Sequence, residues 1–388
     1  MTTAIASAPL EVADAVLDDL RERLAETRLP DQPEDEDWSL GADASFIAEL
    51  CTYWRDEFDW RSVERRINAW QPSRTRIDGL DIHFLHARSP EPAAFPLVLT
   101  HGWPGSIVEF LDLLPLLTDP VAHGGAAQDA FEIICPSLPG YGLSEIPTQP
   151  GTDPHAIAVR FAALMRRLGH DRYGAQGGDY GSVISTLLGV VDPEHCAAIH
   201  LNMVLAGPPR DGDPLAGLTA KEIEHLEVTR RNGQDETGYY AIQSTRPGTL
   251  GFGLHDSPAG LAAWIVEKFR SWSDCRGSIE QSFSKDQLLA NIMLYWVTGT
   301  ITSSCRLYWE MARGERVVPG ETPTGAAMFP GEMIRAPRAW AEHRYPNLVH
   351  WNEMPRGGHF AAMEEPELLA DEIRSFFRNH RERGLGNP

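Results

Sequence analysis

Gly177-Gly178-Asp179-Tyr180-Gly181-Ser182 is the stretch on which the fold of this chain turns. It follows a short strand-like run, Arg172 to Gln176, and opens into a helical one, Ser182 to Val191. Small residues stand two before and two after Asp179. That is the spacing of a nucleophile elbow, a strained strand-to-helix turn with no room for bulk beside the reactive side chain. The usual occupant is serine. An aspartate there suits attack on saturated carbon, because the ester it leaves can be cleaved by water. An ordinary Gly-rich turn with a capping Asp accounts for the same six residues, so the flanking sequence has to decide.

Upstream, Leu97 to Thr100 is an apolar run of buried-strand type ending in His101-Gly102-Trp103-Pro104-Gly105-Ser106. A helix-like segment, Ile107 to Leu117, and a second buried strand, Phe131 to Cys135, come next. Pro136-Ser137-Leu138-Pro139-Gly140-Tyr141-Gly142-Leu143-Ser144 then leads to a helix from Asp153 to Leu168 and so to the elbow. Cys196 to Val204 reads as the following strand. Strands alternating with helices predict a mostly parallel sheet covered on both faces. The alternation stops near Gly207. From 207 to 322 the chain is helical and aromatic, with helices expected at Thr219–Arg231, Ser257–Trp272, Lys285–Val297 and Ser303–Arg313. Such an insertion between strands can roof a site. Alternation resumes at Thr324 to Phe329, Ala336 to His343 and Leu348 to Trp351, and a helix from Glu365 to His380 closes the chain.

Ahead of this core, Val12, Val16, Leu17, Leu20 and Leu24 recur at helical spacing. An acidic loop, Asp31 to Asp37, a helix from Ala44 to Phe58 and another through Val63, Ile67 and Trp70 follow. Asp78-Gly79 reads as the turn of a hairpin joining Arg74–Ile77 to Leu80–His86. The division that results is an extension at 1–95, a core at 96–206, a helical cap at 207–322 and the rest of the core at 323–388. The fold class is α/β: an α/β-hydrolase fold with a mostly parallel central sheet, an all-helical cap insertion and an N-terminal extension.

Composition narrows the function. A net charge of −21, with acids spread through the chain, argues against nucleic acid or an anionic membrane as partner. The five cysteines are far apart and form no CxxC pair, so neither a disulfide framework nor a zinc knuckle is expected, and a reducing, cytoplasmic compartment is. Residues 1–12 lack the basic start and apolar core of a signal peptide. No stretch approaches the ~20 apolar residues of a membrane span.

A carboxylate nucleophile calls for a base to activate water on the ester, and histidine suits that task near neutral pH. In this fold the base lies on a loop after the last strand, where His359 stands in Arg356-Gly357-Gly358-His359-Phe360. The acid that orients the imidazole belongs between the elbow and the base. No aspartate occurs between Asp286 and Asp371, and the position after the strand ending near Val204 carries no acid, its neighbours being Asn202 and Gly207, so an acid after the following strand must be a glutamate. Glu332 sits a few residues past the Thr324–Met328 strand; Glu321 precedes that strand and Glu342 lies within a helix, and both fit less well.

These positions carry a resemblance. With Phe58-Asp59-Trp60-Arg61, Ile77-Asp78-Gly79-Leu80-Asp81-Ile82-His83-Phe84, the HGWPGS and GGDYGS stretches, Ser257-Pro258-Ala259-Gly260-Leu261-Ala262-Ala263-Trp264, Leu294-Tyr295-Trp296 and Arg356 to Ala362, the chain resembles the epoxide hydrolases of the microsomal and juvenile-hormone type, in a soluble bacterial form. The resemblance implies Asp179 as nucleophile, Glu332 as charge-relay acid and His359 as base. It implies two tyrosine donors in the cap, Tyr308 and Tyr239, the latter one residue from Tyr240. Backbone N–H groups of Trp103 and Tyr180 are expected to form the oxyanion hole. The expected reaction turns a lipophilic epoxide into a vicinal diol with water, without metal or organic cofactor, nucleic acid or membrane anchor; a homo-oligomer is neither required nor excluded. A haloalkane or haloacid dehalogenase shares the aspartate nucleophile but would use a halide-binding Trp or Asn in place of paired tyrosines. A non-catalytic ligand-binding protein of this fold would be marked by loss of Asp179, Glu332 or His359, and all three are present.

Overall fold

The computed structural model describes residues 4–33 and 38–381, so residues 34–37 of the expected acidic loop lie outside the described residues. Nine strands make one sheet: β1 (Ala6–Ser7), β2 (Ser73–Ile77), β3 (Leu80–Ala87), β4 (Phe95–Thr100), β5 (Phe131–Pro136), β6 (Tyr173–Gly177), β7 (Cys196–Leu201), β8 (Thr324–Met328) and β9 (Leu348–Glu353). Their order is β1-β2-β3-β5-β4-β6-β7-β8-β9. From β5 to β9 every pairing is parallel; β1, β2 and β3 add antiparallel strands at one edge. The Asp78-Gly79 turn has positive φ at both residues, 45° and 81°, the twist a two-residue hairpin needs. The central strands read as continuous apolar runs because both faces are covered: Leu97, Val98, Leu99, Ile133 and Ile134 are all buried.

The residues before β4 therefore share the sheet of the core, and their helices pack elsewhere. Helices Asp14–Ala25, Ala44–Asp56 and Trp60–Asn68 bury Leu20, Leu50, Trp54 and Ile67 in an apolar core continuous with that of the insertion. Each fully buried aliphatic side chain there is worth about 1.5–3 kcal/mol. Polar contacts fix the rim: Tyr53 Oη donates to Asp286 (2.9 Å), Lys285 pairs with Glu49 (2.9 Å), and Arg23 donates to the Asp256 carbonyl (2.9 Å). The extension braces the roof.

Several boundaries differ from the sequence expectation, each for a local reason. The helix expected over Ile107–Leu117 is a 3-10 turn, Ile107–Phe110, followed by an α-helix, Leu113–Thr118. The elbow helix begins at Asp179 rather than Ser182, since close packing overrides the poor helix propensity of Gly181. Two insertion helices were not expected: Gly238–Thr245 and Pro247–Asp256, whose glycines and proline read as loop. The closing helix runs Pro366–Phe377 and leaves His380 beyond its end.

That closing helix is fixed to the sheet by a buried acid. Glu372 accepts from His350 (2.6 Å) and Asn352 (2.8 Å) of β9, with His200 of β7 3.9 Å away. Burial works to raise the Glu372 pKa, but the His200, Asn352 and His350 contacts outweigh it and bring it from 4.5 down to about 2. A depressed carboxylate stabilises the fold above its unfolded pKa and loses that contribution as pH falls through its folded one. Glu372→Gln should lower stability at pH 7 by about 1–3 kcal/mol. The gap from the unaltered protein should close between about pH 4.5 and 2, read by chemical denaturation across that range.

Candidate active site

The C-terminal ends of β4, β6, β8 and β9 deliver the loops that converge under the insertion. At the end of β6 the chain enters helix Asp179–Val191 through Asp179 itself, whose φ of 48° is a left-handed value rarely taken by a residue with a side chain. The turn is forced by packing. A methyl on Gly181 would collide with the Thr100 carbonyl oxygen at the end of β4, and one on Gly102 would collide with the Asp179 carboxylate. The small residues around Asp179 are thus a condition of its approach to the β4 loop.

That approach sets the electrostatics. Asp179 Oδ1 accepts the Trp103 backbone N–H at 2.8 Å, and the Tyr180 N–H also binds the carboxylate. Burial raises the Asp179 pKa, while the imidazole of His359 and these two amides oppose the rise. The other oxygen, Oδ2, faces His359 Nε2 at 3.6 Å. His359 follows β9 on its loop, its own N–H held by the Trp272 carbonyl (2.9 Å). Its Nδ1 sits 3.0 and 2.9 Å from the two oxygens of Glu332, whose side chain is completely buried after β8. Burial alone would lower the His359 pKa; the Glu332 carboxylate, followed by Asp179, raises it to about 9. With Nδ1–H directed at Glu332, Nε2 is the nitrogen presented to Asp179.

The roof supplies the phenols. Tyr308 comes from helix Ile301–Met311 and Tyr239 from helix Gly238–Thr245. The Tyr239 ring stacks on Trp103 (centroids 5.3 Å, planes 7° apart), and the Tyr308 ring meets Tyr180 (4.9 Å) and Trp103 (5.7 Å) edge-on. The Tyr308 hydroxyl is buried and makes no hydrogen bond of full geometry, with the Tyr239 hydroxyl beside it. Burial raises both phenol pKa values, so both stay protonated. Tyr240 is 40% exposed, whereas the Tyr239 ring packs against both Trp103 and Tyr308. The Lys268 ammonium lies 4.9 Å from the centre of the Tyr239 ring. All seven residues expected from the sequence are brought together: Asp179, His359, Glu332, Tyr308, Tyr239, Trp103 and Tyr180.

The loop bearing Trp103 is pinned to the roof. Asn291 donates to the Pro104 carbonyl (2.8 Å) and accepts from Ser106 (2.7 Å), and Tyr295 donates to the Gly105 carbonyl (2.6 Å). His101 is a structural neighbour: it accepts the Leu138 N–H at Nε2 (3.2 Å) and faces the Gly102 carbonyl at Nδ1, and burial holds its pKa down at about 4 despite that Gly102 contact.

One residue was missed. Glu109, in the 3-10 turn after Ser106, folds its carboxylate back over Gly105. It lines a cavity of ≈ 20 Å³ together with Asp179, His359, Gly102 and Asn202. That volume admits about one water. Burial pushes the Glu109 pKa up to about 8, with His359 opposing and Asp179 reinforcing. Its only mark in the sequence is a lone acid in the apolar run Ile107-Val108-Glu109-Phe110. The larger cavities, ≈ 610 and ≈ 840 Å³, are lined by neither Asp179 nor His359.

The chain is similar to known proteins over most of its length. Residues 5–110 match the family described as "Epoxide hydrolase N terminus", and residues 96–231 match "alpha/beta hydrolase fold". A protein of Stigmatella aurantiaca (strain DW4/3-1), assigned provisionally by name to the epoxide hydrolases, is 48% identical over 374 residues, covering 96% of this chain and 84% of its own. Epoxide hydrolase 1 of Sus scrofa is 42% identical over 395 residues, 95% of this chain and 87% of that protein. The crystal structure of juvenile hormone epoxide hydrolase from the silkworm Bombyx mori superposes with a TM-score of 0.89 at 31% identity, covering 98% of this chain and 95% of that one.

The Glu332–His359 pair has a direct test. In Glu332→Gln the main cause of the raised imidazole pKa is gone while burial remains, so the His359 pKa should fall from about 9. An NMR titration of the His359 ring reads this. A raised histidine pKa stabilises the fold fully below pH 6.5 and loses that contribution as pH rises through 9. The stability deficit of Glu332→Gln should therefore be largest below pH 6.5 and shrink toward pH 9.

Proposed function

The chain belongs to the epoxide hydrolases and adds water across an epoxide to give a vicinal diol, and we propose that it does so through an ester on Asp179. The observation that carries this reading is the division of labour between the two Asp179 oxygens. Oδ1 is held by the Trp103 amide, the Tyr180 amide also binds the carboxylate, and Oδ2 is left toward His359. In the proposed first step Oδ2 attacks an epoxide carbon from behind, the C–O bond of the ring breaks, and a phenol proton from Tyr308 or Tyr239 goes to the departing alkoxide. An alkoxide is a poor leaving group, so this proton is needed; a halide would need none. The paired phenols support the epoxide over a haloalkane.

In the second step His359 takes a proton from water, and the hydroxide adds to the Asp179 carbonyl carbon. The oxyanion forms on Oδ1, which already accepts the Trp103 N–H, and the neighbouring Tyr180 N–H is proposed as its second donor. Collapse breaks the bond from the acyl carbon to Oδ2, which takes the proton of the added hydroxyl and leaves as part of the diol, so that Asp179 is a carboxylate again and His359 keeps the proton taken from water. Charge explains the order of events. In the resting site the Asp179 and Glu332 carboxylates both hold His359 protonated. Esterification removes the Asp179 charge, the imidazolium loses one of its supports and gives its proton to the tyrosinate left by the first step, and the neutral imidazole is then a base when a base is required. Glu109, beside the one-water cavity, is proposed to orient the attacking water. The aromatic wall of Trp103, Trp272 and the tyrosines supports a lipophilic substrate, and five buried unpaired cysteines support a cytoplasmic setting. Among the described residues no helix is long and apolar enough to cross a membrane.

The test is a single turnover of styrene oxide with excess enzyme in oxygen-18 water. The first-turnover diol should be unlabelled and label should enter Asp179; labelled diol from that turnover would sink the ester scheme, as would steady turnover by Asp179→Ala. Tyr308→Phe and Tyr239→Phe should each slow ester formation by about 10²-fold and leave its hydrolysis intact, read by rapid quench. Slowing by Tyr240→Phe alone would overturn the choice of Tyr239. Glu109→Gln should show the opposite pattern, with normal ester formation and slower ester cleavage, so that the ester accumulates.

A further inference from the structure

Away from the reacting centre, three ligand-type atoms converge at the opposite end of the sheet. His86 near the end of β3, Glu132 at the start of β5, and His170 just before β6 bring Nε2, a carboxylate oxygen and Nε2 within 4.8 Å of one another. Cross-strand register explains the first two: His86 pairs with Ile134, and Glu132 lies two residues from Ile134, so both side chains share one face. His170 arrives there because Gly169, with φ 87°, ends helix Pro154–Leu168, and the His170 N–H caps the Met165 carbonyl. His86 Nε2 is 2.5 Å from Glu132 Oε1. His170 Nε2 is 4.0 Å from the same oxygen, buried, and makes no hydrogen bond. A buried ring nitrogen without a partner, directed at a carboxylate, is a costly arrangement unless something else completes it.

We propose that His86, Glu132 and His170 form a binding site for a divalent first-row transition metal, with Zn2+ the best match. Two imidazoles and one carboxylate suit Zn2+ and its neighbours, and not Mg2+ or Ca2+, which take oxygen ligands. Tetrahedral ligands about 2.0–2.1 Å from the ion stand roughly 3.3 Å apart. The two distances to Glu132 Oε1 straddle that value, and each reaches it by a side-chain shift of under about 1 Å. The metal displaces the shared His86 proton to solvent and gives His170 its partner. Glu132 is 26% exposed, which leaves an open side for a water as fourth ligand. His86 belongs to the stretch matched as the epoxide hydrolase N terminus, and Glu132 and His170 to the hydrolase body. The ion therefore staples the seam where the antiparallel edge joins the parallel sheet. β6 separates it from Asp179 by five residues at ~3.3 Å each, so it acts on stability and not on the reaction.

The experiment is equilibrium dialysis of chelator-treated enzyme against Zn2+, with thermal unfolding in parallel. One Zn2+ per chain should bind and raise the unfolding midpoint, with diol formation unchanged. Glu132→Gln and His170→Gln should each weaken binding by no less than the roughly 10–100-fold that even an outer-shell change costs, and abolish the thermal shift. Unchanged Zn2+ affinity in both variants would overturn the site. Should either variant fail to fold, the unaltered enzyme loaded with Co2+ decides: X-ray absorption must find two imidazole nitrogens, and fewer than two rules the site out.

Discussion

The chemistry of this enzyme depends on how closely two backbones approach. The end of β4 and the first turn of the elbow helix meet at Thr100 and Gly181 with no space for a side chain, and Gly102 meets the Asp179 carboxylate in the same way. That contact aims the Trp103 amide at Oδ1 and holds Asp179 at a positive φ. Backbone strain of this kind costs of order 1–3 kcal/mol and persists only where surrounding structure over-determines it. Here the surroundings are the parallel sheet on one side and the braced roof on the other. Asn291, Tyr295 and Ser106 tie the loop to the roof, and the N-terminal helices tie the roof down in turn.

Burial then makes the charges matter. Three acids, Asp179, Glu332 and Glu109, surround one imidazole in a site with room for about one water. In such a medium each carboxylate is costly unless paired, and a change of one charge is felt by every neighbour. Glu332 keeps its partner in every state. In the proposed ester mechanism Asp179 is the acid whose charge is removed, so that His359 would respond to the progress of the reaction itself.

Much of this was legible in the sequence, for identifiable reasons. Glycines forced by close packing stay at fixed spacing about Asp179, and strand–helix alternation gave the sheet. Glu332 emerged because no aspartate stands between Asp286 and Asp371, which left a glutamate after β8. The roof was harder. Helices Gly238–Thr245 and Pro247–Asp256 are stabilised by packing and carry loop-like residues, so local propensity hid the element bearing Tyr239. Glu109 was invisible for another reason: it reaches the cavity by a fold-back across Gly105, and no periodicity encodes that.

Trp103 has a wider consequence. Its amide serves the core and its ring is the surface on which Tyr239 stacks and against which Tyr308 packs. One residue thus registers two pieces of chain that substrate choice would be free to vary independently. Transplanting a foreign roof onto this body, in the laboratory or by recombination, would preserve the donor geometry only if the new tyrosines arrived in register with that indole.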